Sequence, residues 1–211
     1  MSYISIEGLE GAGKSTAMKA LMDYYKGKDV EQIREPGGSG VAEEIRCILK
    51  DLREEKIDAY SEALLFFAAR NQLLQNVVKP ALEQNKIVIS DRCYLSSVAY
   101  QREEPELIKY LVKELKYKPD LIIYLDIDPR IGMERARNRG ALDRIEEKEI
   151  KYFDEARKVY QSEALLNKNI VTIDASQSVE AVYNDVMKEI KKFDLSLNLK
   201  IQNNKKLRNK F

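Results

Sequence analysis

Residues 8–16 read Gly8-Leu9-Glu10-Gly11-Ala12-Gly13-Lys14-Ser15-Thr16, a G-x-x-x-x-G-K-[ST] pattern in which each residue type has its own chemical use. The glycines let backbone N–H groups curl around a β-phosphate. Lys14 can bridge β- and γ-oxygens, and Ser15 is placed to ligate Mg²⁺. An apolar run precedes the loop and a helical pattern follows it, so a helix N-terminus would add its positive end to the same anion. The reading is a bound nucleoside triphosphate with magnesium. The loop alone leaves the reaction open.

Two further apolar runs end in a carboxylate, Ile87-Val88-Ile89-Ser90-Asp91 and Ile122-Ile123-Tyr124-Leu125-Asp126. Either could hold the magnesium hydration shell from a strand end. Asp91 is favoured because Arg92 follows it, while Asp126 reads equally well as a cap or turn carboxylate before Pro129. A guanine switch would need an Asn-Lys-x-Asp reader, and Asn167-Lys168-Asn169-Ile170 lacks the aspartate. A kinase needs a second anion pocket marked by arginines that fork onto phosphate. Arg34 and Arg92 lie at or just after strand ends. Arg46 and Arg70 fall on helical stretches, where an exposed salt-bridged arginine is the ordinary alternative.

Histidine is absent, which removes Ser-His-Asp triads, Cys-His pairs and His-ligated zinc from consideration. Cys47 and Cys93 form no C-x-x-C arrangement and suggest reduced thiols. With 36 Lys plus Arg against 35 Asp plus Glu, the net charge of +1 gives no overall bias toward nucleic acid or membrane. Neither a leader pattern nor a membrane-length apolar run is read, so a soluble cytoplasmic protein is expected.

The elements that must position these residues are short Ile/Val/Tyr-rich runs alternating with helical stretches. Strands are expected at Tyr3–Ile6, Val30–Glu35, Ile87–Ser90, Leu121–Leu125 and Ile170–Ile173. Helices are expected at Ser15–Tyr25, Ala42–Leu52, Ser61–Glu83 and Val179–Lys192. Parallel strands with crossover helices follow, in one three-layer α/β domain whose ligands sit beyond the carboxyl ends of the strands. From Lys191 onward seven basic residues face only Asp194, read as a solvated, partly frayed tail with nucleic-acid contact as the minority alternative.

Five motifs keep their order and spacing: Glu7 to Ser15; Arg34-Glu35-Pro36-Gly37-Gly38; Leu65-Phe66-Phe67-Ala68-Ala69-Arg70; Asp91-Arg92 with Ser96-Ser97-Val98-Ala99-Tyr100-Gln101; and Arg135-Ala136-Arg137-Asn138-Arg139-Gly140 with Leu142-Asp143-Arg144-Ile145-Glu146. To about Lys192 the chain resembles the bacterial thymidylate kinases. The resemblance implies a P-loop nucleoside monophosphate kinase fold, α/β with a five-stranded parallel sheet flanked by helices, and a short mobile lid at about 135–146; residues 193–211, beyond it, are read from their charge as a basic tail. It implies transfer from ATP, with Mg²⁺, onto dTMP.

By the same resemblance Phe66 stacks on thymine, Arg70 bonds O4, and Ser97 and Gln101 contact the remaining base edge. Tyr100 lies beneath the sugar. Arg46 and Arg92 hold the dTMP phosphate with Arg34 nearby, Glu10 reaches toward the acceptor, and Glu35 supports that network or magnesium. Without the register, core packing would be the commoner fate of Phe66 and Tyr100. Lys14, Asp91 and Arg92 are the expected catalytic groups, with Arg135, Arg137 and Arg139 in the lid and Arg139 the first choice. Asp174-Ala175-Ser176-Gln177 resembles the adenine-side loop. After Gln101 the chain departs from the family, with Arg102-Glu103-Glu104-Pro105 in place of a glycine-rich stretch.

The implied partner beyond substrate is a second copy, with Ala63, Leu64, Phe67 and Leu73 as a candidate face that could equally point to the core. A kinase for another deoxynucleotide or a deoxynucleoside is the enzyme alternative, and Arg46 and Arg92 argue against a nucleoside acceptor. A non-catalytic nucleotide-binding module is the other alternative, opposed by Lys14, Asp91 and the lid arginines.

Overall fold

The computed structural model describes residues 2–52, 54–138 and 143–208, those after 199 by their backbone alone. Among them, five strands form one parallel sheet in the order β2-β3-β1-β4-β5: β1 (Ser2–Gly8), β2 (Val30–Arg34), β3 (Ile87–Asp91), β4 (Leu121–Asp126) and β5 (Ile170–Asp174). Each runs one or two residues beyond its apolar stretch or stops one short, because ladder bonding continues past the last apolar side chain. Val30–Arg34 forms a strand despite Glu31 and Gln32 because it is the sheet edge, where one flank meets solvent.

Every residue of central β1 is buried, and its pleat divides the core. Tyr3 packs with Leu73, Leu74, Val78 and Val88, whereas Ile4 and Ile6 join the larger cluster with Met18 and Leu21. Helix α1 (Lys14–Tyr24) packs beside α9 (Val179–Arg208). Helices α2 (Gly40–Lys50) and α3 (Ala59–Leu73) pair with each other, as do α5 (Tyr94–Tyr100) and α8 (Ile150–Leu166). The remaining helices are α4 (Lys79–Glu83), α6 (Pro105–Glu114) and α7 (Pro129–Arg137).

Two expectations are corrected. The stretch read as one helix from Ser61 to Glu83 is α3, a π-helical turn at Leu74–Val78, and α4. Pro80 has no N–H and its ring crowds the carbonyl four residues back, which a widened turn relieves. The helix expected to end at Lys192 continues, as α9, to Arg208. No glycine or proline interrupts residues 179–208, Phe193 packs on the core, and Tyr25 Oη donates to Asp194 at 2.8 Å.

Candidate active site

Parallel strands place the chemistry at one edge. In the register, Ile6 and Arg34 both lie opposite Asp91, and Gly8 opposite Leu125. The loop after β1 therefore emerges beside the end of β3. Within it the Leu9 and Ala12 side chains are buried in the core, so these two offer a ligand only their backbone. Ser15 and Thr16 are exposed on the first turn of α1, which starts after Gly13 in a left-handed conformation.

The loop also leans on α7. A Cβ on Gly11, whose φ is 70°, would collide with the Gly132 carbonyl, and one on Gly132 would collide with the Glu10 carbonyl. Only paired glycines allow so close an approach. Lys14 is nearly buried and its Nζ donates to the Gly8 and Leu9 carbonyls at 3.0 and 2.8 Å, with Glu10 Oε2 3.8 Å away. Burial, then the neighbouring Arg92 charge, push its pKa down.

Arg92 turns the chain out of β3 with a φ of 75°, a strained conformation for a residue carrying a side chain. Its N–H donates to Ile6 O at 2.9 Å. Its guanidinium donates to Gly8 O and Ser96 Oγ, each at 3.1 Å, and to Glu10 Oε1. Glu7 supports this corner from below. It is fully buried and accepts from Cys93 N, Ser96 N, Ser96 Oγ and Tyr160 Oη at 2.8–3.0 Å.

Two adjoining cavities share Glu10, Glu35, Pro36, Lys50 and Arg92. One is lined in addition by Phe66, Arg70, Ser96, Ser97, Tyr100, Gln101 and Ile145. In its wall Arg70 donates to Glu35 Oε2 at 2.5 Å, Ser97 Oγ at 3.0 Å and Cys93 O at 3.2 Å. Burial pushes the Glu35 carboxyl upward against the opposing pull of Arg70. The Tyr100 ring packs among Tyr152, Phe153 and Tyr160. The second cavity is polar and gathers Lys14, Ser15, Asp91, Arg34, Arg46 and Arg135. There Arg34 pairs with Glu43 at 2.8 Å and Arg46 donates to Pro36 O at 2.7 Å.

Most residues singled out in the sequence thus meet at one place. Glu10 does not extend freely toward an acceptor, because it is engaged by Arg92 and Lys14. Arg135 donates to Gly11 O and Ala175 O, tying α7 to the loop after β5. Arg137 is exposed on α7 and lines neither cavity. Arg139 lies outside the described residues. Asp126 is a structural carboxylate, bonded by Arg157 at 2.7 and 3.0 Å and by Tyr124 Oη. Of the proposed partner face, Ala63, Phe67 and Leu73 are buried in the core and only Leu64 is exposed.

Sequence reasoning gave no role to Lys50, Ser96, Ile145 or the Glu62–Arg144 pair. Lys50 sits one turn after Arg46 on the same face of α2, a legible signal. Ser96 gains its place from Glu7, Arg92 and Tyr160, whereas Ile145 and the Glu62–Arg144 pair depend on residues 143–149 folding back onto α2 and α3. Arg144 donates to Leu49 O at 2.7 Å and Glu62 Oε2 at 2.6 Å, and Lys50 pairs with Asp143.

Comparison with known proteins agrees with this geometry. The family model described as thymidylate kinase matches residues 6–186. A thymidylate kinase of Vibrio parahaemolyticus is 46% identical over 195 residues, covering 88% of this chain and 93% of its own. One of Pseudoalteromonas translucida is 44% identical over 201 residues, covering 90% and 96%. Among solved structures, a thymidylate kinase from Ehrlichia chaffeensis matches with a TM-score of 0.71 at 26% identity, over 90% of this chain and 98% of that one.

Proposed function

The chain belongs to the thymidylate kinase family, and from that premise we propose that it phosphorylates dTMP to dTDP with ATP and Mg²⁺. The observation that carries this is the junction of the two cavities, where Arg92 and Glu10 line both a base-sized pocket and the phosphate-loop chamber. A nucleotide with its base beside Phe66 and Arg70 would have its phosphate among Arg34, Arg46 and Arg92, facing Lys14.

The acceptor phosphate is already an anion, so the chain's task is alignment and charge neutralisation. Lys14 would leave the Gly8 and Leu9 carbonyls for the donor's β- and γ-oxygens. Arg92, held in place by Gly8 O, Ser96 and Glu10, would present fixed donors to the transferring group without reorganising. Arg135 would brace the loop from the ATP side, and Arg139, with Arg137, would supply further charge. Ser15 and Asp91 fit a magnesium ion: both line the polar cavity, and Asp91 Oδ1 is buried with no hydrogen-bond partner among the described residues. Those residues contain no cluster of three His, Cys, Asp or Glu side chains able to hold a metal, so Ser15 and Asp91 are the side chains that would hold the ion. When bound, it neutralises the charge that builds on the phosphates.

Arg70 offers donors only, which suits the thymine O4 carbonyl and opposes the amine of cytosine. The Tyr100 ring would crowd a ribose 2′-hydroxyl. We further place the protein in the cytoplasm as a homodimer. With most of the α3 face in the core, the exposed Val41 and Ile48 of α2 and Tyr60 and Leu64 of α3 are the surface for a second copy, testable by light scattering.

The deciding experiment is a coupled ADP-release assay offering dTMP, dUMP, dCMP, dGMP, AMP and thymidine to wild type and Arg70→Ala. A strong dTMP preference that weakens in the variant supports the activity and the pocket. Turnover of a different acceptor, or of none, overturns the assignment.

A further inference from the structure

Gln101 follows the last turn of α5 and lines the base-sized cavity beside Phe66, Arg70 and Ser97. Its Nε2 donates to Glu62 Oε1 at 3.2 Å. A carboxylate only accepts, so it fixes which way the amide lies: nitrogen toward Glu62, carbonyl oxygen left for the cavity. Glu62 is itself held. Its other oxygen accepts from Arg144, which is anchored on the Leu49 carbonyl. The Glu62 and Arg144 side chains are only 12% and 16% exposed, and neither lines the cavity.

Arg70 completes the pattern from the adjacent wall. Nε bonds Glu35, one Nη1 hydrogen serves Ser97 and one Nη2 hydrogen serves Cys93 O. A hydrogen on each terminal nitrogen is left over, and the guanidinium has no acceptor to offer. The cavity therefore presents a fixed donor from Arg70 and a fixed acceptor from Gln101. That pair complements a pyrimidine with a carbonyl next to a ring N–H, as in thymine and uracil. It mismatches cytosine, where an amine adjoins an unprotonated ring nitrogen.

Building on the reading of this cavity as the acceptor-base pocket, we propose that Glu62 is a specificity-determining positioning residue. Without touching substrate, it locks the Gln101 amide in the orientation that reads the ring N–H, and Arg144 locks Glu62. Glutamine at position 62 could donate as well as accept, so it would let the Gln101 amide turn over. Aspartate would remain acceptor-only.

The test is kcat and KM for dTMP, dUMP and dCMP in wild type, Glu62→Gln, Glu62→Asp, Gln101→Ala and the Glu62→Gln/Gln101→Ala double variant. We expect Gln101→Ala and Glu62→Gln each to narrow the dTMP-to-dCMP ratio of kcat/KM about tenfold, roughly one good hydrogen bond. The Glu62→Gln effect should sit mainly in KM, the double variant should add little, and Glu62→Asp should keep the ratio near wild type. General loosening of the fold would lower all substrates together and leave the ratio alone. If Gln101→Ala narrows the ratio while Glu62→Gln does not, or if the two effects multiply, the inference is wrong and the pocket reading stands. If Gln101→Ala leaves the ratio unchanged, the pocket reading itself is lost. Should Glu62→Gln fail to fold, Arg144→Ala, which frees Glu62 from its anchor, reads the same dTMP-to-dCMP ratio: narrowing toward that of Gln101→Ala supports the proposal, and an unchanged ratio overturns it.

Discussion

Arg70 and Glu35 form a charged pair within the wall of the base-sized cavity, Nε to Oε2 at 2.5 Å, with both side chains 3% exposed. Such a pair contributes little net stability, because desolvating both charges offsets their attraction, but removing one partner strands the other. Its use here is orientation, since the bond to Glu35 sets the plane in which the remaining guanidinium hydrogens point.

Glu35→Gln keeps a carbonyl for Arg70 Nε and removes the charge, so KM for dTMP should rise about tenfold with kcat changed less. Glu35→Ala leaves a buried guanidinium unpaired and should cost about 3 kcal/mol in urea unfolding. A wild-type unfolding midpoint for Glu35→Ala would show that the pair is not what holds Arg70.

Gly132→Ala should reverse the usual sign of a helical glycine replacement. In an exposed helix alanine is favoured by about 1 kcal/mol, but here the new methyl meets the Glu10 backbone carbonyl. A loss of about 1–3 kcal/mol is expected, with a higher KM for ATP because the phosphate loop must move. Calorimetry and ATP titration check both, and a stabilised variant would mean that the contact between loop and α7 is loose.

Asp126 supplies a pH dependence. Burial alone would raise its carboxyl, but hydrogen bonds from Arg157, Tyr124 and Gln161 hold it below the usual carboxylate range. Its folded pKa is therefore lower than its unfolded value of about 4. The stability it contributes is fully present above that value and is lost as pH falls through the folded pKa. Asp126→Asn should be less stable than wild type at pH 7, and the gap should close as pH falls through the lowered folded pKa of Asp126. A gap independent of pH would assign the effect to packing.

Ending the chain after Lys192 should destabilise it by about 2 kcal/mol relative to ending it after Asp194. The shorter form lacks Phe193, packed on the core, and the Asp194 carboxylate that bonds Tyr25. Equal melting temperatures would move the functional end of α9 back to Lys192.

Several features of the fold and site were legible because their causes are local. Buried strands need near-continuous Ile, Val and Leu, so β1, β3, β4 and β5 appeared within a residue or two of their observed ends, while β2, broken by Glu31 and Gln32, was marked by the turn at Pro36-Gly37-Gly38 that follows it. The phosphate loop needs glycine where side chains cannot fit, and strand-end residues Arg34 and Asp91 were located by the rule that parallel sheets gather ligands at their carboxyl edge. Hidden features depend on distant partners. Phe66 and Phe67 are adjacent and chemically identical, yet one lines the cavity and the other packs with Ala63 and Ile108.

By itself the sequence determined the nucleotide loop, the order of the five strands along the chain, and the family to which they belong, because each follows from side-chain types at short, regular spacing. Only the tertiary structure decided the pairings. Glu10 meets Arg92 across 82 residues, Glu62 meets Arg144 across the same separation, and Tyr160 reaches Glu7 across 153. A charge in the sequence carries no record of which opposite charge the fold will bring within bonding distance. That choice belongs to the packing of α3, α5 and α8 against the sheet, where burial leaves each polar group a single geometry in which it is satisfied.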